Sequence, residues 1–210
     1  MAGRNDKNTK HRFLVEALML FAEKGYEAVS VAEIAKAVGC SAPALYKHYK
    51  SKQDLLEAII EESESGFTKQ MTVMKFDVEN DAELRQSVIE MTEDEEIERV
   101  KEMVKYAIHN DFTQAFRKLC VVEQFHMERL AETYTYRYIT YQFQQYEEIF
   151  KLWIESGKMK QGDAKAMATM YMAYPILAIG ICDREPQKED EVMEMLEKHI
   201  REFNRSFRIG

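Results

Sequence analysis

The 210-residue chain is predicted to be all-α, with a three-helix N-terminal helix-turn-helix domain over residues 1–51 and a larger helical bundle over 52–210. Apolar residues recur with helical periodicity along most of its length. β-branched alternation is scarce, and prolines and glycines number only three and eight. Two very short, well-capped helices also fall within the first fifty residues.

The first helix is expected from about Thr9 to Lys24, with Phe13, Leu14, Ala17, Leu18, Phe21 and Ala22 on one face and Gly25 placed as a left-handed cap. Ser30-Val31-Ala32-Glu33 is a capping-box pattern, in which hydroxyl and carboxylate each satisfy a free backbone N–H. It opens a short helix with Val31, Ile34, Ala35 and Val38 inward, ending at Gly39. Ser41 is placed to cap a third helix over 42–49, where Pro43 is tolerated because first-turn N–H groups lack intrahelical partners. Ser51-Lys52-Gln53-Asp54 begins a longer helix. Further helices are expected at about 52–75, 81–92, 94–109, 111–123, 126–156, 163–181 and 188–207, the penultimate one bent or ended near Pro175. The acidic run Glu93–Glu96 suits the positive end of a helix dipole.

Charge is unevenly distributed. The net charge is -8, yet residues 1–52 hold nine basic against five acidic side chains, a balance of +4, leaving 20 against 32 for the rest. Salt screens charges beyond about 8–10 Å, so a basic end on an acidic body remains able to attract phosphate. Cys40, Cys120 and Cys182 are scattered without metal-ligand spacing, which suits a reducing compartment and argues against structural zinc. No membrane-crossing apolar run and no secretory leader are read from the sequence, so a cytoplasmic location without membrane contact is expected.

Short helix, glycine turn and short helix is the geometry of a major-groove reader. The small residues Ser41, Ala42, Pro43 and Ala44 would let the backbone approach bases, followed by the long polar side chains Tyr46, Lys47 and His48, with Leu45 and Tyr49 turned inward. The runs Ile34-Ala35-Lys36-Ala37-Val38-Gly39-Cys40-Ser41 and Leu45-Tyr46-Lys47-His48-Tyr49, then Lys52 with Leu55, resemble the signature of the TetR (tetracycline-repressor-like) regulators. The resemblance covers Phe13 to about Ile60; beyond that it extends to architecture alone. It implies that Ser30, Tyr46, His48 and Lys52 contact phosphate and that Ala42, Pro43, Ala44 and Tyr46 line the groove. Ala42 and Ala44 carry no hydrogen-bonding groups, so bases would be read by apolar contact with thymine methyls or by Lys47. Cys40 is read as a small side chain in the turn rather than a redox sensor.

The resemblance further implies a ligand-binding and dimerising body. Tyr136, Ile139, Phe143, Tyr146, Phe150 and Trp153 form one stripe, and Leu130, Tyr134, Tyr138 and Tyr141 another, which suits either a pocket or core packing. Candidate ligand contacts are Phe116, Tyr134, Tyr138, Tyr141, Met170 and Tyr174. Candidate dimer contacts are Met167, Met170, Tyr171, Val192, Leu196, Ile200 and Phe203 on the last two helices, an intramolecular core being the alternative. The expected function is a ligand-responsive repressor that binds a palindromic operator as a homodimer. Its effector would be apolar or planar, and the helix beginning at Ser51 would carry the signal. An architectural or partner-controlled DNA-binding protein is the alternative. Glu123-Gln124-Phe125-His126 has the Glu-x-x-His spacing of di-iron bundles, but such sites need a second copy that the sequence lacks, so neither an enzyme nor a cofactor is expected.

Overall fold

A computed structural model describes residues 2–74 and 82–209, and the expected helix boundaries at 75 and 81 lie outside the described residues. The chain is helical: α1 (Ala2–Lys24), α2 (Val31–Val38), α3 (Ala42–Leu45), α4 (Lys52–Met74), α5 (Ala82–Glu90), α6 (Glu93–His109), α7 (Asp111–Glu123), α8 (Glu128–Thr135), α9 (Tyr141–Glu155), α10 (Ala164–Arg184) and α11 (Glu189–Phe207). A π-helical turn at Tyr136–Thr140 separates α8 from α9, and a 3₁₀ turn at Pro186–Lys188 precedes α11.

Packing divides the chain elsewhere than at 51/52. One compact unit comprises residues 1–70 with 111–134, and the other 71–110 with 135–210. The reason lies in α4, whose Leu55, Leu56, Ile59 and Ile60 join the core of the N-terminal helices. In this first unit α1 supplies Phe13, Leu14, Ala17, Leu18 and Phe21, α2 supplies Ile34, Ala35 and Val38, and α7 supplies Ala115, Phe116, Leu119 and Cys120.

The second unit centres on an aromatic cluster. Tyr171 lies 5.2 Å from Tyr146, 5.4 Å from Phe150 and 5.1 Å from Phe203, ring centre to ring centre. Beside it the buried Glu96 carboxylate accepts hydrogen bonds from Tyr171 Oη (2.7 Å), Asn204 Nδ2 (2.9 Å) and Arg208 Nη1 (3.0 Å). Burial raises the Glu96 pKa, while those three donors oppose the rise. Trp153 Nε1 donates to the Val88 carbonyl at 2.8 Å, tying α9 to α5.

Three expectations need correction here. The predicted single helix over 126–156 is interrupted by the π turn, whose greater width breaks the constant 3.6-residue period. Tyr146, Phe150 and Trp153 are therefore buried, whereas Tyr136 and Ile139 of the same predicted stripe face solvent and Arg137 is buried instead. Pro175 does not end the predicted helix; it is buried within α10, which continues to Arg184. Finally, α10 is long and apolar enough to cross a membrane by length and composition, contrary to the sequence reading. Its Met167, Ala168, Tyr171, Met172, Ala178 and Cys182 are nevertheless packed in the core of the second unit, as expected of a central bundle helix.

Candidate nucleic-acid interface

The head is organised from its helix caps. Ser30 Oγ accepts the Glu33 amide at 3.2 Å, while the Ser30 amide and hydroxyl both donate to Glu33 Oε2, at 2.8 and 2.9 Å. These bonds hold the Glu33 carboxyl below its ordinary value. Gly39 closes α2 at φ 74° and donates to Ala35 and Lys36, a left-handed geometry that disfavours any side chain. The chain thereby turns sharply into α3.

Regular helix in α3 spans only Ala42–Leu45, shorter than the expected 42–49. The next residues stay wound through bonds that span three residues: Lys47 N to Ala44 O (3.3 Å) and His48 N to Leu45 O (2.9 Å). Ser41 occupies the cap position but its side chain makes no capping bond, contrary to expectation, so Pro43 and the turn geometry start this helix.

Two inward anchors orient the segment. Leu45 is fully buried, and Tyr49 is 3% exposed. The Tyr49 hydroxyl donates to the Lys10 carbonyl at 3.1 Å, and burial, with Asp54 and Glu62 adding to it, pushes its pKa up to about 12. Between and before these anchors Ser41, Pro43, Tyr46 and Lys47 are exposed and Ala42 and Ala44 half-buried. Tyr46 is 55% exposed, a large ring held out with no core role. His48 is half-buried with its ring 5.8 Å from Phe13, so it is partly a packing residue.

Lys52 differs most from expectation. Its Nζ donates to the Tyr26 carbonyl at 2.9 Å and the Val29 carbonyl at 3.1 Å, and lies 4.1 Å above the Tyr26 ring. It thus braces the turn leading into α2. The same turn is held from the other side by the buried Glu123, whose Oε1 accepts the Tyr26 amide at 2.7 Å. Gly25 lies beneath that carboxylate, where a Cβ would come within 3.1 Å of Oε1. Neither brace is legible in the sequence, where Glu123 stands out only for its spacing to His126.

The other predicted sets differ in burial. Phe116 is fully buried in the first unit's core, against which Tyr134 is half-buried. Tyr138, Tyr141 and Tyr174 are half-buried in the second unit, Met170 is 45% exposed, and the Tyr174 ring lies tilted at 5.6 Å from that of His199. A narrow gap in the second unit, with room for about one water, is lined by other residues, among them Met91, Glu96, Arg99, Tyr146, Ile149 and Trp153. Of the dimer candidates, Met167, Tyr171, Val192, Leu196, Ile200 and Phe203 are all at most 6% exposed, buried within their own unit, which leaves only Met170 available. Their stripe faces inward because α10 packs on α6 and α9 and is in turn covered by α11.

The profile of the bacterial regulatory proteins of the tetR family matches residues 13–59. The HTH-type transcriptional regulator AcrR of Shigella flexneri is 43% identical over 60 residues, which cover 29% of this chain and 28% of AcrR. The similarity in sequence thus spans under a third of that relative. In fold it extends much further. A TetR-family transcriptional regulator of Mesorhizobium loti superposes with a TM-score of 0.67 at 14% identity, covering 97% of this chain and 98% of the other. SmeT, the repressor of the Stenotrophomonas maltophilia multidrug efflux pump SmeDEF, superposes with a TM-score of 0.62 at 15% identity, covering 95% and 90%. Residues 13–59 thus match the tetR family of bacterial regulatory proteins, and the whole chain shares the fold of these solved regulators.

Proposed function

We propose that this protein is a ligand-responsive transcriptional repressor that binds a palindromic operator as a homodimer in the cytoplasm. One observation carries the reading: Ser41, Pro43, Tyr46 and Lys47 face solvent from a segment anchored by the buried Leu45 and Tyr49. A rod presented this way fits a major groove about 12 Å wide. Ser41, Ala42, Pro43, Ala44 and Lys47 are the groove-facing residues, with Ser30, Tyr46 and His48 at flanking phosphates. Lys52 acts on DNA through the turn it braces.

Palindromic recognition requires two heads about 34–36 Å apart. The second copy docks on the outer face of α10, where Met170, Ala173 and Leu177 are exposed at spacings of three and four, together with Met195 of α11. The similarity in fold to SmeT, a repressor, supports the direction of control. An apolar or planar effector bound between the long central helices would lower operator affinity; a hundredfold change corresponds to about 2.7 kcal/mol of coupling.

The decisive experiment selects binding sites from a random duplex library and then measures affinity for the winner by fluorescence anisotropy. A two-fold symmetric sequence, with binding weakened at least tenfold by Tyr46→Ala, is the expected outcome. Selection of no sequence, or wild-type affinity in Tyr46→Ala, overturns the reading.

A further inference from the structure

Glu123 sits where local rules would not put a carboxylate. It is the last residue of α7, at the negative end of the helix dipole, where an acidic side chain is disfavoured. It is 6% exposed, while Val122 just before it and Phe125 just after it are 48% and 87% exposed. Apolar side chains thus face solvent and the acid is buried, the reverse of ordinary patterning. Burying a carboxylate is costly unless it is paired. The Glu-x-x-His spacing does not account for it, since His126 is exposed while Glu123 is buried.

Tyr26 accounts for it. Gly25 closes α1 in the left-handed region at φ 82°, and its own amide makes the last bond back into the helix, to the Phe21 carbonyl at 2.9 Å. The next N–H, that of Tyr26, donates instead to Glu123 Oε1 at 2.7 Å. The other groups of Tyr26 are engaged as well. Its hydroxyl donates to Gln53 Oε1 at 3.1 Å, its carbonyl accepts Lys52 Nζ at 2.9 Å, and its ring centre lies 5.1 Å from that of Phe21. Four residues later Ser30 caps α2, and Gly39 turns α2 into the recognition segment. From Glu123 to Ser41 the path is therefore one hydrogen bond, one turn and one capped helix.

We infer that Glu123 is a positioning residue for operator recognition: through the Tyr26 amide it fixes the orientation of α2, and with it the face that Ser41, Pro43, Tyr46 and Lys47 present to the groove. The inference rests on the DNA-binding reading above. Base contacts require register within the groove, whereas attraction to phosphates is independent of sequence. Loss of this hold therefore falls on specific binding and spares non-specific binding.

Affinity is measured by anisotropy with the full chain on two duplexes of equal length, the operator selected above and a scrambled sequence. Specific complexes exceed non-specific ones by about 10³ or more in affinity, so a partial loss is readable. Glu123→Leu removes the acceptor and leaves the Tyr26 amide without its partner. Operator affinity then falls by about tenfold or more, affinity for the scrambled duplex stays within about twofold, and amide exchange at Tyr26 becomes faster. Glu123→Gln keeps a carbonyl oxygen for the Tyr26 amide and holds operator affinity within about threefold of wild type. Equal loss on both duplexes, by unfolding or otherwise, makes Glu123 a stability residue alone and overturns the inference. So does wild-type operator affinity in Glu123→Leu, or a loss in Glu123→Gln as large as that in Glu123→Leu. A wild-type protein that does not distinguish the two duplexes overturns the DNA-binding reading itself.

Discussion

Single side chains in the head divide into those that face outward and those that hold the outward ones in place. Tyr46 is exposed, so Tyr46→Ala is expected to leave stability within about 0.5 kcal/mol of wild type, while operator affinity falls. Lys52 behaves oppositely. Lys52→Ala frees the Tyr26 and Val29 carbonyls, so it should cost about 2 kcal/mol of stability by urea denaturation and weaken DNA binding as well. A loss of affinity without loss of stability would return Lys52 to the phosphates. In the second unit, Glu96→Leu strands Asn204 and Tyr171 in the core and unpairs the half-buried Arg208, and breaking such a buried network costs about 3–5 kcal/mol. An unchanged urea midpoint would show that this network carries no stability. The residue types at these positions are visible in a sequence; their partners, up to 112 positions away for Arg208 and Glu96, are not.

At the scale of elements the capping signals proved the most readable. Ser30 with Glu33 opens α2, and the acidic run at Glu93–Glu96 opens α6, where Thr92 Oγ1 accepts the Glu95 amide and Glu95 Oε2 accepts the Thr92 amide at 2.8 Å. Both Glu33 and Glu95 have folded pKa values lowered by these bonds, chiefly by the backbone N–H of the cap residue. Their contribution to stability is accordingly present above the ordinary glutamate value and is lost as pH falls through the lowered one. Amide exchange at Ser30 and Thr92 should rise in that acid window and not before it; exchange independent of pH there, after correction for intrinsic rates, would mean the boxes hold nothing. Local rules failed at α3 and at the π turn. Ser41 has the right identity for a cap, but the Ala42-Pro43 start and the succeeding i→i+3 bonds leave its hydroxyl unused by the helix. The π turn adds width that a constant 3.6-residue period cannot register, and Tyr136 and Ile139 end up outside.

For the molecule as a whole, the proposed function requires a second copy and charge placed at one end. Leu177 is 55% exposed on the uncovered face of α10, so Leu177→Glu is expected to give a monomer by light scattering, with operator affinity reduced at least tenfold and the fold retained. A dimer that survives this change places the interface elsewhere. Phe203, by contrast, lies in the aromatic cluster, where a glutamate would unfold the unit and say nothing about association. The acidic balance outside the first 52 residues (-12) does not oppose the basic head at physiological salt, because fields decay over about 8 Å.

The sequence alone determined that this chain is helical, where most helices start, and that a short glycine-turned pair near its beginning has helix-turn-helix form, because capping, periodicity and turn chemistry are local interactions. Tertiary structure decided which faces point inward. α10 is apolar around much of its circumference, so periodicity names several stripes without ranking them, and only packing on α6, α9 and α11 selected Met167 and Tyr171 for the core and left Met170 and Leu177 outside. It likewise turned Lys52 and Glu123 toward the same turn, a convergence between positions about seventy residues apart that no local rule encodes.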